Sequence, residues 1–242
     1  MNVFKGPLQI MKSTSAFLGI AVFGLAGTLA LPAAELSGKV KLKGTPKPEV
    51  PIQLDATCGK MNGGKQLTTR HYVVGQDGGL GNVFVYVKSG AQKTPPTGEP
   101  ATLDQVNCMY EPYVFGVVAG QKFKVKNSDA VLHNIHPTPK VNKEINFAQP
   151  VKGQVNEILF DKPEVLVRIK CDVHPWMFSY AGVQEHPYFA VTDKDGNFKI
   201  PNLPNGKYTI EAIHQKAGAK TQEIEVKGDK KDLNFELEVP AQ

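Results

Sequence analysis

The residues best suited to chemistry lie in one short stretch, Cys171-Asp172-Val173-His174-Pro175-Trp176-Met177. The stretch offers a thiol, an imidazole and a thioether at intervals of three residues, directly after the apolar run Glu164 to Lys170. Soft sulfur suits Cu(I), imidazole binds copper in either oxidation state, and a weak axial thioether helps to tune the potential. A mononuclear copper site of the electron-transfer kind needs one further imidazole, and His133 is an upstream candidate.

Each of these residues taken singly has an ordinary structural explanation. A cysteine in a strand is usually a small buried hydrophobic residue. A lone histidine more often has a structural role, through its hydrogen bonds, than a role as a metal ligand. The shared spacing of Cys171, His174 and Met177, together with the upstream His133, is what favours a copper site.

These residues resemble the cupredoxin family, and the ligand loop is most similar to that of its amicyanin-like members. The family pattern is a His followed by Asn on one loop and Cys-x-x-His-Pro-x-Met on the next. His133-Asn134 and Cys171 to Met177 match that pattern residue by residue. The resemblance covers roughly residues 112–183. It implies one mononuclear copper ion, cycling between Cu(I) and Cu(II), with four ligands: His133, Cys171, His174 and Met177.

The resemblance also implies roles for the surrounding residues. The ring nitrogen of His174 that is not on copper would point outward and form the electron path to a partner. Asn127 and Asn134 would fix the loop and form hydrogen bonds near the sulfur, although an Asn in a loop is equally a turn former. His136 competes with His133 as the upstream ligand. The family pattern favours His133, because Asn134 follows it, and leaves His136 as an extra ligand at the mouth of the site.

Three cysteines in an exported chain need an explanation. With Cys171 held as a metal ligand, Cys58 and Cys108 remain as a pair. A disulfide between them would close a loop of about 50 residues and contribute a few kcal/mol on a chain-entropy model. The alternatives are two unpaired thiols, or a second metal site formed by Cys58 with His71.

The first 34 residues have the features of an export signal. Lys5 and Lys12 are the only charges before Glu35, the run Ala16 to Leu31 is almost wholly apolar, and small residues follow it. We therefore expect a periplasmic or otherwise exported protein with no membrane span after cleavage. An uncleaved N-terminal anchor is the alternative.

Charge and motifs exclude several kinds of function. Removing residues 1–34 takes away two lysines and no acid, so the formal charge falls from +5 to +3, which gives no reason to propose a nucleic-acid partner. The sequence has no phosphate-binding loop, nucleophile elbow or His-Glu-x-x-His zinc motif, and no His-rich motif for a further copper ion. We expect a protein that is not an enzyme.

Alternating apolar residues predict an all-β chain, with an irregular Pro- and Gly-rich passage from Thr45 to Gly64 and no helix longer than a turn or two. The expected segments are a β-rich N-terminal part at 35–107 and a Greek-key, cupredoxin-like β-sandwich at 108–185, whose loops at one end carry the site. The third segment, 186–242, follows them.

That C-terminal segment resembles the carboxypeptidase regulatory-like, transthyretin-like β-sandwich. Its signature is Thr-Asp-x-Asp-Gly-x-Phe from Thr192, followed by Leu-Pro-x-Gly-x-Tyr from Leu203. Such modules usually begin with a Ser-Gly-x-Val strand, which here would be residues 37–42. The copper domain is then either placed before this smaller module or inserted into it.

Three functions are compatible with these features. The first is a periplasmic type 1 copper protein that carries single electrons between redox protein partners. The second is a copper-handling chaperone or sensor. The third is a surface interaction module without redox activity. Copper loading, followed by visible spectroscopy, separates them.

Overall fold

The computed structural model describes Met1 and residues 33–96 and 98–241 of the 242-residue chain. Of the expected export signal it describes Met1, Ala33 and Ala34. The rest of that segment lies outside the described residues, so its cleavage stays a prediction. Ala33 and Ala34 belong to the first strand, where they pair with Pro204 and Leu203. Within the described ranges, no helix is long and apolar enough to cross a membrane.

Nearly all of the regular structure is β-strand, which confirms the all-β prediction. The single helix among the described residues is α1 (Ala56–Met61). The strands are β1 (Ala33–Lys43), β2 (Phe84–Ser89), β3 (Thr102–Val106), β4 (Met109–Glu111), β5 (Val114–Val118), β6 (Lys122–Asn127), β7 (His133–Thr138), β8 (Phe147–Gln149), β9 (Val155–Leu159), β10 (Glu164–Lys170), β11 (Phe178–Gln184), β12 (Phe189–Val191), β13 (Asn197–Pro204), β14 (Gly206–His214), β15 (Gly218–Val226) and β16 (Phe235–Glu238).

The strands form four sheets in two groups. One group has the strand orders β13-β1-β16 and β12-β2-β14-β15, and these two sheets enclose one apolar core. We call it the host module. The other group has the orders β5-β11-β10-β7-β8 and β4-β3-β6-β9, around a second core. We call it the inserted sandwich, because the chain enters it after β2 and leaves it before β12.

The two ends of the chain complete the host module together. β1 pairs antiparallel with β13 and parallel with β16, so the N-terminal strand lies between two C-terminal ones. β2 pairs with both β12 and β14. The segment 35–107 therefore contributes strands to both groups, since β3 pairs with β6 of the inserted sandwich.

β2 also connects the two groups through its alternating side chains. Val85 and Val87 are fully buried in the core of the host module. Phe84 and Tyr86, on the opposite face, pack in a third cluster with Tyr113 and Val114 of the inserted sandwich. A single strand thus contributes to the core on one face and to the contact between the two groups on the other.

Two glycines of the inserted sandwich make room for aromatic rings of the host module. A Cβ on Gly182 would lie 2.3 Å from Cζ of Phe84, and one on Gly116 would lie 2.2 Å from Cε2 of Phe189. Neither distance is sterically possible. Both positions therefore require glycine for the two groups of sheets to touch.

Candidate metal centre

The loop from Cys171 to Met177 is closed on itself by its own backbone. The amide of Cys171 donates to the carbonyl of Met177 at 3.0 Å, and the amide of Met177 donates to the carbonyl of His174 at 2.9 Å. β10 ends at Lys170 and β11 begins at Phe178, so two neighbouring strands hold both ends. Cys171, His174 and Met177 are thereby held together in one short closed loop.

His133 reaches this loop through strand pairing. β7 begins at His133 and runs antiparallel to β10, with His136 opposite Lys170. This register brings the start of β7 and the end of β10 to the same end of the sheet. The predicted upstream ligand and the ligand loop therefore lie side by side.

Three predicted donors converge at this end of the sheet. Nδ1 of His133 lies 2.9 Å from Nδ1 of His174, and Sγ of Cys171 lies 3.8 Å from the same nitrogen of His174. The three ligand atoms all fall within 4.8 Å of one another. Two imidazole nitrogens and a thiol facing one point are the donor set that suits copper.

The donors are shielded from water. His133, Cys171 and His174 are at most 3% exposed, and Met177 is fully buried in the same core cluster as Cys171. Met177 thus belongs to the same closed loop and the same core cluster as Cys171. The donor set present fits a copper ion in its chemistry.

A carboxylate faces the outer nitrogen of each imidazole. Nε2 of His133 lies 2.9 Å from Oδ2 of Asp129, which is itself buried. Nε2 of His174 lies 3.2 Å from Oδ2 of Asp55. An acceptor at the outer nitrogen fixes the ring orientation and makes the other nitrogen the ligand. Neither aspartate was predicted, although Asp129 lies only four residues before His133 in the sequence.

Hydrogen bonds to Cys171 oppose the effect of burial on the pKa of its thiol. Burial raises the pKa of Cys171, but hydrogen bonds from His133 and from backbone amides, that of Asn134 among them, bring the pKa below its ordinary value. Burial lowers the pKa of His133, and Asp129 and Cys171 together raise it above its ordinary value. A thiol with a lowered pKa is closer to the thiolate that metals bind.

The two asparagines proposed to support the site hold different loops. The side chain of Asn134 accepts from the amide of Asp172 at 2.6 Å and donates to its carboxylate at 3.1 Å, so it joins β7 to the ligand loop. The side chain of Asn127 donates to the carbonyls of Val131 and Gln149. Asn127 therefore fixes the loop that carries His133 rather than the surroundings of the sulfur.

His136 lies outside the cluster of donors. Its Nδ1 is 2.7 Å from Oδ2 of Asp172, and its Nε2 is 2.6 Å from Oε1 of Glu144. Both ring nitrogens are thus engaged by carboxylates on the outer face of the sheet. Of the two competing histidines, the structure places only His133 with Cys171.

The predicted disulfide between Cys58 and Cys108 is present. Cys58 lies in α1, whose N-cap is Asp55. Cys108 lies in the two-residue turn between β3 and β4, with φ +56° after φ +54° at Asn107, as a type I′ hairpin requires. In this oxidised form the sulfur of Cys58 is bonded to Cys108, so the alternative of a metal site made by Cys58 with His71 is not present.

The disulfide fixes α1 and its N-cap Asp55 next to His174. It ties α1 to the inserted sandwich, and the N-cap Asp55 faces the outer nitrogen of His174. The expectation that this nitrogen points to solvent is wrong, since His174 is only 3% exposed. The adjacent Trp176 is half-buried, with its ring centroid 5.1 Å from that of His174 and its Nε1 donating to the carbonyl of Cys108.

Comparison with protein families finds no family model that matches the chain, and comparison with curated proteins finds no match. Solved structures do match part of it. A purple cupredoxin from Nitrosopumilus maritimus is 24% identical, covers 35% of this chain and 99% of its own, and has a TM-score of 0.29. A mutant of amicyanin in the Cu(I) state is 20% identical, covers 41% of this chain and 98% of its own, and has a TM-score of 0.32.

A copper-containing nitrite reductase from Thermus scotoductus SA-01 also matches, at 24% identity and a TM-score of 0.31. The match covers 42% of this chain and 25% of the reductase. Similarities of this size carry no argument about the site.

Proposed function

We propose that this chain is an exported, periplasmic protein that holds one copper ion and carries single electrons between redox protein partners, without catalysing a reaction of its own. The observation that carries the proposal is the convergence of Nδ1 of His133 and Nδ1 of His174 with Sγ of Cys171 in a buried cluster. Met177 supplies a thioether from the same loop.

Copper bound there would supply one-electron exchange between Cu(I) and Cu(II). His133, Cys171 and His174 would hold the ion, with Met177 as the fourth donor. The chain contributes rigidity, because the ligand loop is closed by its own hydrogen bonds and each imidazole has its outer nitrogen fixed by a carboxylate. Donors that keep their places in both oxidation states make electron exchange fast.

Burial argues against the alternative of copper handling. A chaperone or sensor exchanges its ion with a partner, and here α1 and Asp55 cover the cluster. The third alternative, an interaction module without copper, leaves the four donors without a role. We also propose that the host module is a carboxypeptidase regulatory-like sandwich that serves as an accessory surface for the copper-bearing part.

The test is addition of Cu(II) to the purified protein, followed by visible absorption and electron paramagnetic resonance. We expect an intense thiolate-to-copper band that ascorbate bleaches reversibly and that Cys171→Ser abolishes. His136→Gln is the matched control and should keep the band, because that histidine lies outside the cluster. Tight binding without the band would favour copper handling, and no binding by the folded protein would end the proposal.

A further inference from the structure

The disulfide lies directly against the outer side of both histidines. The sulfur of Cys58 groups with a carboxylate oxygen of Asp55 and a ring nitrogen of His174, all within 4.8 Å of one another. Cys108 forms the same kind of group with Asp129 and His133. Each sulfur of the disulfide thus has one carboxylate and one imidazole close to it, and the S–S bond joins the two groups.

Each carboxylate is held beside its sulfur by the backbone of that cysteine. Oδ1 of Asp55 accepts from the amide of Cys58 at 2.8 Å. Oδ2 of Asp129 accepts from the amide of Cys108 at 2.8 Å, and Oδ1 accepts from the amide of Asn107 at the same distance. These bonds fix the carboxylates independently of the bond between the two sulfurs.

The cysteine backbones are spaced for shared coordination. The Cα atoms of Cys58 and Cys108 are 5.7 Å apart. Two thiolates on backbones this close both reach a single ion at the usual zinc–sulfur distance of about 2.3 Å. Both residues are fully buried, so an ion between them would be shielded from competing water.

We propose that reduction of the Cys58–Cys108 disulfide creates a second metal site, made of these two thiolates with Asp55 and Asp129, for Zn²⁺ or another soft cation. Two molecules of a thiol reductant R–SH together supply two electrons and two protons: the S–S bond breaks, two cysteine thiols form, and R–S–S–R is released. Metal binding then displaces the two thiol protons to solvent. In the oxidised protein the sulfurs are bonded to each other, and the site is absent.

This site is separable from the proposed copper centre, because the chain has three cysteines. In the variant Cys171→Ser the only sulfurs able to form thiolates are those of Cys58 and Cys108. A thiolate-to-metal absorption band in that variant therefore reports binding by Cys58 and Cys108, whereas binding through His133 and His174 alone gives no such band. The copper titration, in contrast, is done with the disulfide intact, so that failure of one proposal leaves the other standing.

The experiment uses full-length Cys171→Ser, reduced with a phosphine, freed of reductant without oxygen, and titrated with Cd²⁺ as a probe for Zn²⁺. We expect one Cd²⁺ per chain, an ultraviolet thiolate-to-cadmium band, and two protons released per ion. The oxidised variant should show no band. A reduced chain that binds no Cd²⁺ stoichiometrically, or that loses its β-sheet circular dichroism and does not regain it with Cd²⁺, overturns the proposal.

The carboxylates are tested by conservative variants in the Cys171→Ser background. Asp55→Asn retains a good N-cap for α1, because Asn caps helices as well as Asp, but removes the anionic ligand. We expect it to weaken Cd²⁺ binding about tenfold or more. Asp161→Asn, on an exposed turn, is the matched control and should change nothing. Equal affinity in Asp55→Asn, Asp129→Asn and the control would show that the carboxylates are not ligands, and the proposed site would be wrong.

Discussion

Two regions of the molecule bury histidine, and they treat the second ring nitrogen differently. In the metal centre, Nε2 of His133 faces the carboxylate of Asp129, which leaves Nδ1 directed at the other donors. In the host module, Nδ1 of His214 accepts from two backbone amides, while its buried Nε2 has no partner among the described residues. Burial is common to both histidines, and the buried carboxylate behind the ring distinguishes the candidate ligand His133 from His214.

The two histidines consequently differ in pKa. Burial lowers the pKa of both. At His133 the Asp129 carboxylate and Cys171 outweigh burial, and the pKa is raised. At His214 burial dominates and lowers the pKa to about 4. Two histidines that are both nearly inaccessible to solvent therefore have opposite pKa shifts, and the one with the raised pKa is the one that a buried carboxylate faces.

The largest effect is expected from removing that anion. Asp129→Ala leaves Nε2 of His133 and the turn amides of Asn107 and Cys108 without their acceptor. We expect a loss of about 3 to 5 kcal/mol in the free energy of unfolding and a loss of about tenfold to hundredfold in copper affinity. Urea unfolding and competition with a copper chelator measure the two effects.

The exposed Asp161→Ala is the control for Asp129→Ala, and its unfolding free energy should change by less than about 0.5 kcal/mol. Copper affinity that is unchanged in Asp129→Ala would remove the distinction between the two kinds of buried histidine.

The next effect concerns His214 and pH. A folded-state pKa of about 4 lies below the ordinary value of 6.5, so the unfolded chain binds the proton first as the pH falls. Stability should therefore be lost progressively from about pH 6.5 down to about pH 4, by about 3 kcal/mol in total. Above that window both states are neutral, and His214 adds no pH dependence.

His214→Asn isolates this contribution, because the Asn oxygen replaces Nδ1 as acceptor and does not titrate. We expect the difference in unfolding free energy between wild type and variant to vary across the window and to be constant above it. Parallel curves over the whole range would show that His214 is protonated as easily in the folded chain as in the unfolded one.

The smallest effect is expected from a change at Trp176, which lies beside His174 in the candidate metal centre. Trp176→Phe keeps a ring beside His174 but removes the hydrogen bond from Nε1 to the carbonyl of Cys108. We expect the free energy of unfolding to fall by about 1 kcal/mol. Hydrogen exchange should become faster in β10 and β11 and stay unchanged in β14. Equal acceleration in β14 would mean that the two regions respond as one.

Periodicity predicted several of the strands, but neither the helix nor the strands β3, β15 and β16. The sequence predicts strands at 121–126 and 178–183, and the structure has β6 at Lys122–Asn127 and β11 at Phe178–Gln184. In β6 the buried Phe123 and Val125 alternate with more exposed lysines, which is the pattern of a half-buried strand. α1 falls in the passage from Thr45 to Gly64 that was expected to be irregular. A helix of six residues with one buried side chain, Cys58, has no apolar stripe to detect.

The site was predictable where its residues are close in sequence. Cys171, His174 and Met177 are fixed by local spacing, and His133 by its position before Asn134. Asp55 was not predictable, because it approaches His174 only through folding of a distant segment that a disulfide ties down. A local sequence pattern identifies the candidate donor residues. The residues that shield those donors from solvent depend on contacts between segments far apart in the chain.

The pairing of β12 with β2 has an evolutionary consequence. Phe189 lies opposite Tyr86, so the chain returns to the host module beside the strand that it left. The inserted sandwich as a whole is, in topological terms, an enlarged loop between β2 and β12. A gene for the host module could gain or lose this loop at one point without reordering any other strand. The aromatic rings of Phe84 and Phe189, which lie against Gly182 and Gly116, are the contacts that such an insertion would have to form.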